Sequence, residues 1–484
     1  MLADYLAIVY RLFTDIDAYL FWYPIVMSFR WMTGAVIGYF KDEFFTGKVS
    51  DPPKLEDPPG VTIMIPLYNE EILCRRTVET ALQVDYPNLT VIAVNDCSKD
   101  NTAAVLDELD SIHKNLIVIH QIVNQGKASG LIAAAERSTD EYLICIDGDT
   151  VIDPHAVHWM VRHFVENPKV GAVTGNPRIS NRNNVVSRVQ VGEYSTMFGM
   201  IKRTQNLTGS LYTLSGVIAG YRKTAIKDIG YWTHDAMTED IDVSWKMQRA
   251  GWCLKYEPHS LVWCLQPESL KGLWKQRIRW AVGGAQVFCK NLDVLVTFSY
   301  ARLWPLYLEM VLSYAWCYLL IFATVTELFL ESTYAMDFGI FVKPLILCSV
   351  CMFQIFVGTL IDAKYDKLYR NYGYMLFYPL FFWLIGFFAA AYSFPRLILT
   401  ETAKYATWES SDRGSDSSGG GSDSSGRGSD SSDKESISSS SDAVSGSEHS
   451  TAEMEALLSN SNVMLYTSPP PSDLLSPSAP SDLL

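Results

Sequence analysis

Between residues 61 and 175 the apolar positions fall into short unbroken runs separated by longer stretches with helical spacing. Runs rich in Val and Ile at 61–66, 90–95, 116–120, 142–146 and 170–174 predict strands. The segments 70–82, 101–112, 127–138 and 154–166 repeat apolar residues every three or four positions and predict helices. Buried strands joined by helices predict an α/β domain with a mainly parallel sheet flanked by helices on both faces, whose ligand crevice lies at the carboxyl ends of the strands.

The chain changes character outside this region. Four segments, about 18–40, 304–326, 344–361 and 374–394, are apolar over nearly the length of roughly 20 residues that a helix needs to cross a bilayer. The first does not read as a cleavable signal peptide, because Asp15 and Asp17 precede it and no small-residue cleavage site follows. It carries Arg30, which is costly at depth unless it reaches the interface or faces a partner helix. The 362–371 loop holds Lys364, Lys367 and Arg370, whereas 327–339 holds Glu327, Glu331 and Asp337 and no basic residue. With four spans, that bias puts 41–303 in the cytoplasm and both termini on the other side. After residue 408, Ser and Gly dominate, Gly-Ser-Asp-Ser-Ser recurs at 414, 421 and 428, and disorder is expected because little can be buried. The expected division is 1–45, an N-terminal membrane segment; 46–290, the α/β domain ending in an interfacial helix at about 270–290; 291–400, three spans; and 401–484, an acidic tail.

Charge and cysteine content narrow the class. Of the 14 net negative charges, ten belong to residues 409–484, which hold 13 acidic and 3 basic side chains. The rest is near neutral and lacks the basic footprint of a nucleic-acid binder. Nine scattered cysteines argue against a disulfide scaffold and for a reduced compartment. His155, His158 and His163 share one predicted helix without a carboxylate pattern and read as surface residues, not metal ligands.

Candidate chemistry gathers at the strand ends. Asp147-Gly148-Asp149 follows 142–146 and offers hard oxygen ligands for Mg²⁺ or Mn²⁺ on a diphosphate, with a glycine that permits close approach. Asp96 follows 90–95, where its carboxylate can accept the imide hydrogen of uracil or cap the next helix. Tyr68 and Glu70, after the first strand, can stack on and hydrogen-bond a nucleoside. Lys127 either reaches a phosphate or uracil carbonyl or is a solvated lysine at a helix start. Thr238-Glu239-Asp240 supplies a carboxylate to deprotonate an acceptor hydroxyl, and either acid fits by composition. Gln276, Arg279 and Trp280 share one helical face, on which Arg279 can meet a diphosphate and the indole can support a sugar ring. The bland alternative for that face is an interfacial helix with Trp and Arg anchors.

These motifs, with Gly171 to Ile179, Gln190 to Ser195, Leu214 to Ala219, Met237 to Trp245 and Pro267 to Gly284, resemble the processive family 2 glycosyltransferases, most closely the bacterial synthases of β-1,6-linked poly-N-acetylglucosamine. The resemblance covers about 20–400. It implies a GT-A-like nucleotide-sugar-binding domain with transmembrane helices in a multi-pass plasma- or inner-membrane enzyme whose catalytic domain is cytoplasmic. The implied activity is an inverting hexosyl transfer from UDP-N-acetylglucosamine, with the growing polymer passed through the membrane. Carried over, Asp240 is the base, Asp149 the metal ligand, Asp96 and Asp147 contact UDP, Ser215 and Glu239 lie at the substrate, and Gln276, Arg279 and Trp280 form the acceptor platform. Implied partners are the UDP-sugar, the polysaccharide acceptor and the bilayer, with a small membrane accessory subunit left open. Synthases of hyaluronan, chitin or cellulose type, and a transferase adding one sugar to a lipid, stay open as alternatives. Cys97 departs from the family, which has glycine after the uridine aspartate, and one N-terminal span is found where two are usual.

Overall fold

A computed structural model of the chain describes residues 2–329, 339–366 and 368–399. The acidic tail, Glu331, Asp337 and Lys367 lie outside the described residues.

The strands are β1 (Val61–Leu67), β2 (Leu89–Asn95), β3 (Leu116–His120), β4 (Tyr142–Ile146), β5 (Val151–Ile152), β6 (Val170–Ile179), β7 (Ile218–Arg222) and β8 (Cys253–Cys264). They form one sheet in the order β3-β2-β1-β4-β7-β6-β8-β5. The sheet is mixed but mainly parallel, as expected: six of its eight strands, all but β5 and β7, point the same way. β3, β2, β1 and β4 are mutually parallel, but β7 runs antiparallel to both β4 and β6, and β5 is antiparallel to β8. The physical reason is the non-local entry of β7: it inserts between β4 and β6 from the opposite end, a pairing that local alternation of runs and helices does not encode.

Strand alternation builds two cores. Ile63, Ile65 and Leu67 of β1 and Val91 and Ala93 of β2 face one layer, while Met64, Ile92 and Val94 face the other. The first layer is closed by α2 (Cys74–Leu82), α3 (Thr102–Ile112) and α5 (Ala156–Glu166). The second is closed by α4 (Lys127–Arg137), α8 (Lys223–Asp228) and α9 (Glu239–Arg249). Between β6 and β7 the chain passes through α6 (Val185–Tyr194), a π-helical turn at Ser195–Ile201 and α7 (Lys202–Thr208).

The remaining helices are α1 (Leu2–Asp42), α10 (Leu270–Lys290), α11 (Trp304–Phe329), α12 (Gly339–Asp362), α13 (Tyr372–Met375) and α14 (Tyr378–Leu399). Among the described residues, two stretches are long and apolar enough to cross a membrane, Phe298–Thr326 and Val342–Asp362. The segments 18–40 and 374–394, also expected to span, fall outside these two. Arg30 does face a partner helix: its Nη1 lies 2.5 Å from Glu309 Oε2 on α11. α14 follows α10, its early residues Tyr378 and Ile385 packing near Leu273 and its Phe394 ring packing edge-on to Phe288.

Buried ion pairs fasten these helices to the sheet domain. Arg203 of α7 donates to Glu43 just after α1 and to Asp362 at the end of α12, and Arg178 of β6 donates to the same Asp362 at 2.7 Å.

Candidate active site

The turns after β1, β2 and β4 are tied to one another. Asn69, at φ 54°, donates its amide to Ser98 Oγ and accepts from the Lys99 amide, and the Glu70 amide donates to Thr102 Oγ1 at 2.9 Å. Asp96 is 2% exposed and accepts the amides of Gln125 and Gly126 at 2.9 and 2.8 Å. Burial raises its carboxyl above the ordinary value, against the pull of these two donors. Asp96 does not cap α3, whose N-cap is Asn101. It fixes the loop that starts α4 and so aims Lys127.

Lys127 is the centre of the site. Its Nζ lies 2.6 Å from Asp147 Oδ1, 2.8 Å from Glu239 Oε1, and donates to the Gly216 carbonyl at 3.0 Å. Burial alone would depress its ammonium, but the two carboxylates reverse this and hold it well above its usual value. The structure thus places it between the two acidic motifs, not in solvent at a helix start.

Gly148 has a packing reason of its own: a Cβ there would lie 2.5 Å from Leu67 Cδ2 and 3.5 Å from Glu70 Cγ. The Asp147–Asp149 turn therefore presses onto the end of β1, which puts Glu70 beside it. Asp149 is 9% exposed, and Tyr68 is half-buried at the same edge.

The two acids that begin α9 differ in environment. Burial would raise both. For Glu239, contact with the Lys127 ammonium outweighs burial and holds the carboxyl below its ordinary value. For Asp240, burial and the Glu239 charge push the carboxyl up to about 6. Asp240 Oδ2 accepts the Gly216 amide at 3.1 Å, so the bend at Ser215-Gly216 touches both Lys127 and Asp240. Ser215 is 3% exposed, and its amide donates to Thr174 Oγ1 at 2.8 Å.

α10 reaches this cluster because Gly283 has no side chain: a Cβ there would run into Thr238, the N-cap of α9. Arg279 is exposed, and its charge lowers both Glu239 and Asp240. Gln276 donates to Gln266 Oε1 at 3.2 Å, and Trp280 is half-buried. The structure thus gathers Lys127, Asp147, Glu239 and Asp240 about the Ser215-Gly216 bend, with Glu70 packed near Gly148, Asp96 holding the turn before Lys127, Asp149 two residues from Asp147, Arg279 acting on both acids, and Gln276 and Trp280 on the same helix as Arg279. Sequence reasoning missed Lys202. Its Nζ donates to Thr174 Oγ1 at 3.3 Å, and burial pushes it down to about 7 against the pull of Asp240. It carries no local pattern by which it could have been found.

Carboxylates thus stand on two sides of one lysine, at the edge where an α/β sheet takes its ligands. Fold and site are those of a glycosyltransferase. The family described as Glycosyltransferase like family 2 matches residues 58–283. Poly-beta-1,6-N-acetyl-D-glucosamine synthase of Staphylococcus epidermidis is 37% identical over 407 residues, 82% of this chain and 98% of that protein. The synthase of the same name from Staphylococcus aureus strain COL is 34% identical over the same shares. A mannosyltransferase from Pyrobaculum calidifontis, solved with GDP-Man and Mn²⁺, superposes with a TM-score of 0.55 at 19% identity, covering 80% of this chain and 98% of that one, a likeness of fold. The chain belongs to glycosyltransferase family 2.

Proposed function

We propose that the chain is a membrane-embedded, processive, inverting synthase that takes N-acetylglucosamine from UDP-N-acetylglucosamine and extends a β-1,6-linked polysaccharide. The observation that carries this reading is the contact of Lys127 with both Asp147 and Glu239, which joins the leaving-group side and the acceptor side of one crevice. The staphylococcal synthases, matched over 98% of their own length, support the choice of sugar and linkage.

In this reading Asp96, Tyr68 and Glu70 hold the uridine, Asp147 orients the diphosphate through Lys127, and Ser215 lines the sugar pocket. The residues suit a divalent cation, Mg²⁺ or Mn²⁺: two hard carboxylates flank Gly148, Lys127 engages Asp147, and Asp149 becomes the metal ligand. When bound, the cation neutralises charge on the departing diphosphate.

Asp240 is the base. A carboxylate pushed up to about 6 is still ionised near neutrality and accepts a proton more readily than Glu239, which Lys127 holds in its ionised form. Arg279 meets the diphosphate, and Gln276 and Trp280 support the acceptor.

The apolar helices support a multi-pass membrane protein with its sheet domain on the cytoplasmic side. Lys343, early in α12, pairs with Asp17 of α1, while Asp362 and Lys364, at the far end of α12, bond Arg203 and the Glu43 carbonyl. α1 and α12 therefore run in parallel toward the sheet domain. The basic 362–371 loop is thus on the domain's side, as a cytoplasmic loop would be.

The test is to supply membranes containing the full chain with one radiolabelled UDP-sugar at a time and size the product. Label from UDP-N-acetylglucosamine in long material degraded by a β-1,6-N-acetylglucosaminidase is expected. A polymer resistant to that enzyme, or a single sugar on lipid, overturns the reading.

A further inference from the structure

Spacing on α10 singles out Gln276, Arg279 and Trp280 and passes over Arg277, which the structure treats differently from its neighbour. Arg279 is exposed, whereas Arg277 is 7% exposed. Arg277 Nη2 donates to Glu193 Oε2 at 2.6 Å, Nη1 donates to Gln276 Oε1 at 3.3 Å, and its Cζ stands 4.3 Å from the Trp280 ring centroid. Glu193 is equally buried, on α6. That helix is a fixed wall: a Cβ on the adjacent Gly192 would lie 3.0 Å from Met375 Cγ and 3.5 Å from Ile355 Cγ2, so α6 is pressed against α12 and α13.

We propose that Arg277 is the positioning residue of the acceptor platform: anchored to α6 by Glu193, its guanidinium covers one face of the Trp280 indole and leaves the opposite face for a sugar ring. The inference rests on the reading of Trp280 as the platform. A sugar stacks productively only if the ring beneath it holds one orientation, and a displacement of about 1 Å at such a support costs up to roughly a hundredfold in rate. A guanidinium does this because it is planar and can stack while both its amino groups bond in plane, to Glu193 and to Gln276. A lysine keeps the charge and loses the stacking plane.

Arg277→Lys separates this role from a merely structural ion pair, because lysine still neutralises Glu193. The full chain in membranes or detergent is compared as wild type, Arg277→Lys and Trp280→Ala, by UDP affinity, thermal midpoint, product length and KM for an acceptor oligosaccharide. The expected result for Arg277→Lys is UDP affinity and midpoint near wild type, with acceptor kcat/KM lowered about tenfold or more and shorter product, in the direction of Trp280→Ala. Wild-type acceptor KM and product length in Arg277→Lys, with both impaired in Trp280→Ala, overturns the inference and leaves the platform reading standing. Wild-type behaviour of Trp280→Ala overturns the platform reading itself. If Arg277→Lys does not fold, the double variant Glu193→Gln, Arg277→Gln removes the buried charges together and is held to the same outcomes.

Discussion

Lys127 Nζ lies 2.8 Å from Glu239 Oε1, and this contact makes two adjacent carboxylates chemically unequal. Glu239 is held ionised by a cation, while Asp240 beside it is pushed up to about 6 by burial and by the Glu239 charge. In the proposed reaction one acid is the fixed countercharge and the other the proton acceptor.

Asp240→Asn is therefore expected to lower sugar transfer by about 10²–10⁴-fold with UDP affinity unchanged, since only removal of the acceptor proton is lost. Calorimetry with UDP and a product assay on the same preparation check this. Substantial polymer from the variant moves the base to Glu239.

The pH profile follows from the same shift. A base must be ionised, so kcat/KM should fall tenfold per unit on the acid side of an apparent pKa near 6. The Lys127 charge lowers the Asp240 carboxyl, so Lys127→Gln should move that acid limb to higher pH. A limb that stays in place or moves down in Lys127→Gln contradicts the assignment.

Removal of the cation should stop the reaction. Excess chelator is expected to abolish activity and restored Mg²⁺ or Mn²⁺ to recover it, and Asp149→Ala should cost roughly two orders of magnitude or more in rate and remove the metal dependence of UDP binding. Asp147→Ala should also be severe, because it releases Lys127 from the diphosphate side. Full turnover in chelator refutes the metal role.

Residues 409–484 should be dispensable for chemistry. The staphylococcal synthases match over 407 residues that are 98% of their own length, so proteins without this chain's extra length bear the synthase name. Truncation after residue 408 should leave the initial rate on the UDP-sugar within about twofold, because a Ser-rich acidic segment lacks the apolar residues to build part of a site. A folded, membrane-inserted truncation that is inactive sinks this.

What the sequence by itself determined is whatever rests on neighbours along the chain. The runs at 61–66, 90–95, 116–120 and 142–146 became β1 to β4 within a residue at each end, because apolar runs between helices leave few other ways to bury themselves. Asp96 and Asp147 could be placed at one edge for the same reason: in a parallel sheet the strand ends coincide. Tertiary structure alone decided what depends on distant segments. The antiparallel entry of β7, the reach of Lys127 to Glu239 across 112 positions, the burial of Lys202 near Asp240, and the stacking of Arg277 on Trp280 with Glu193 behind it leave no periodic trace. Composition left Glu239 and Asp240 interchangeable, because the inequality between them is set by which one a lysine from another helix touches, and an electrostatic field is a property of positions in space.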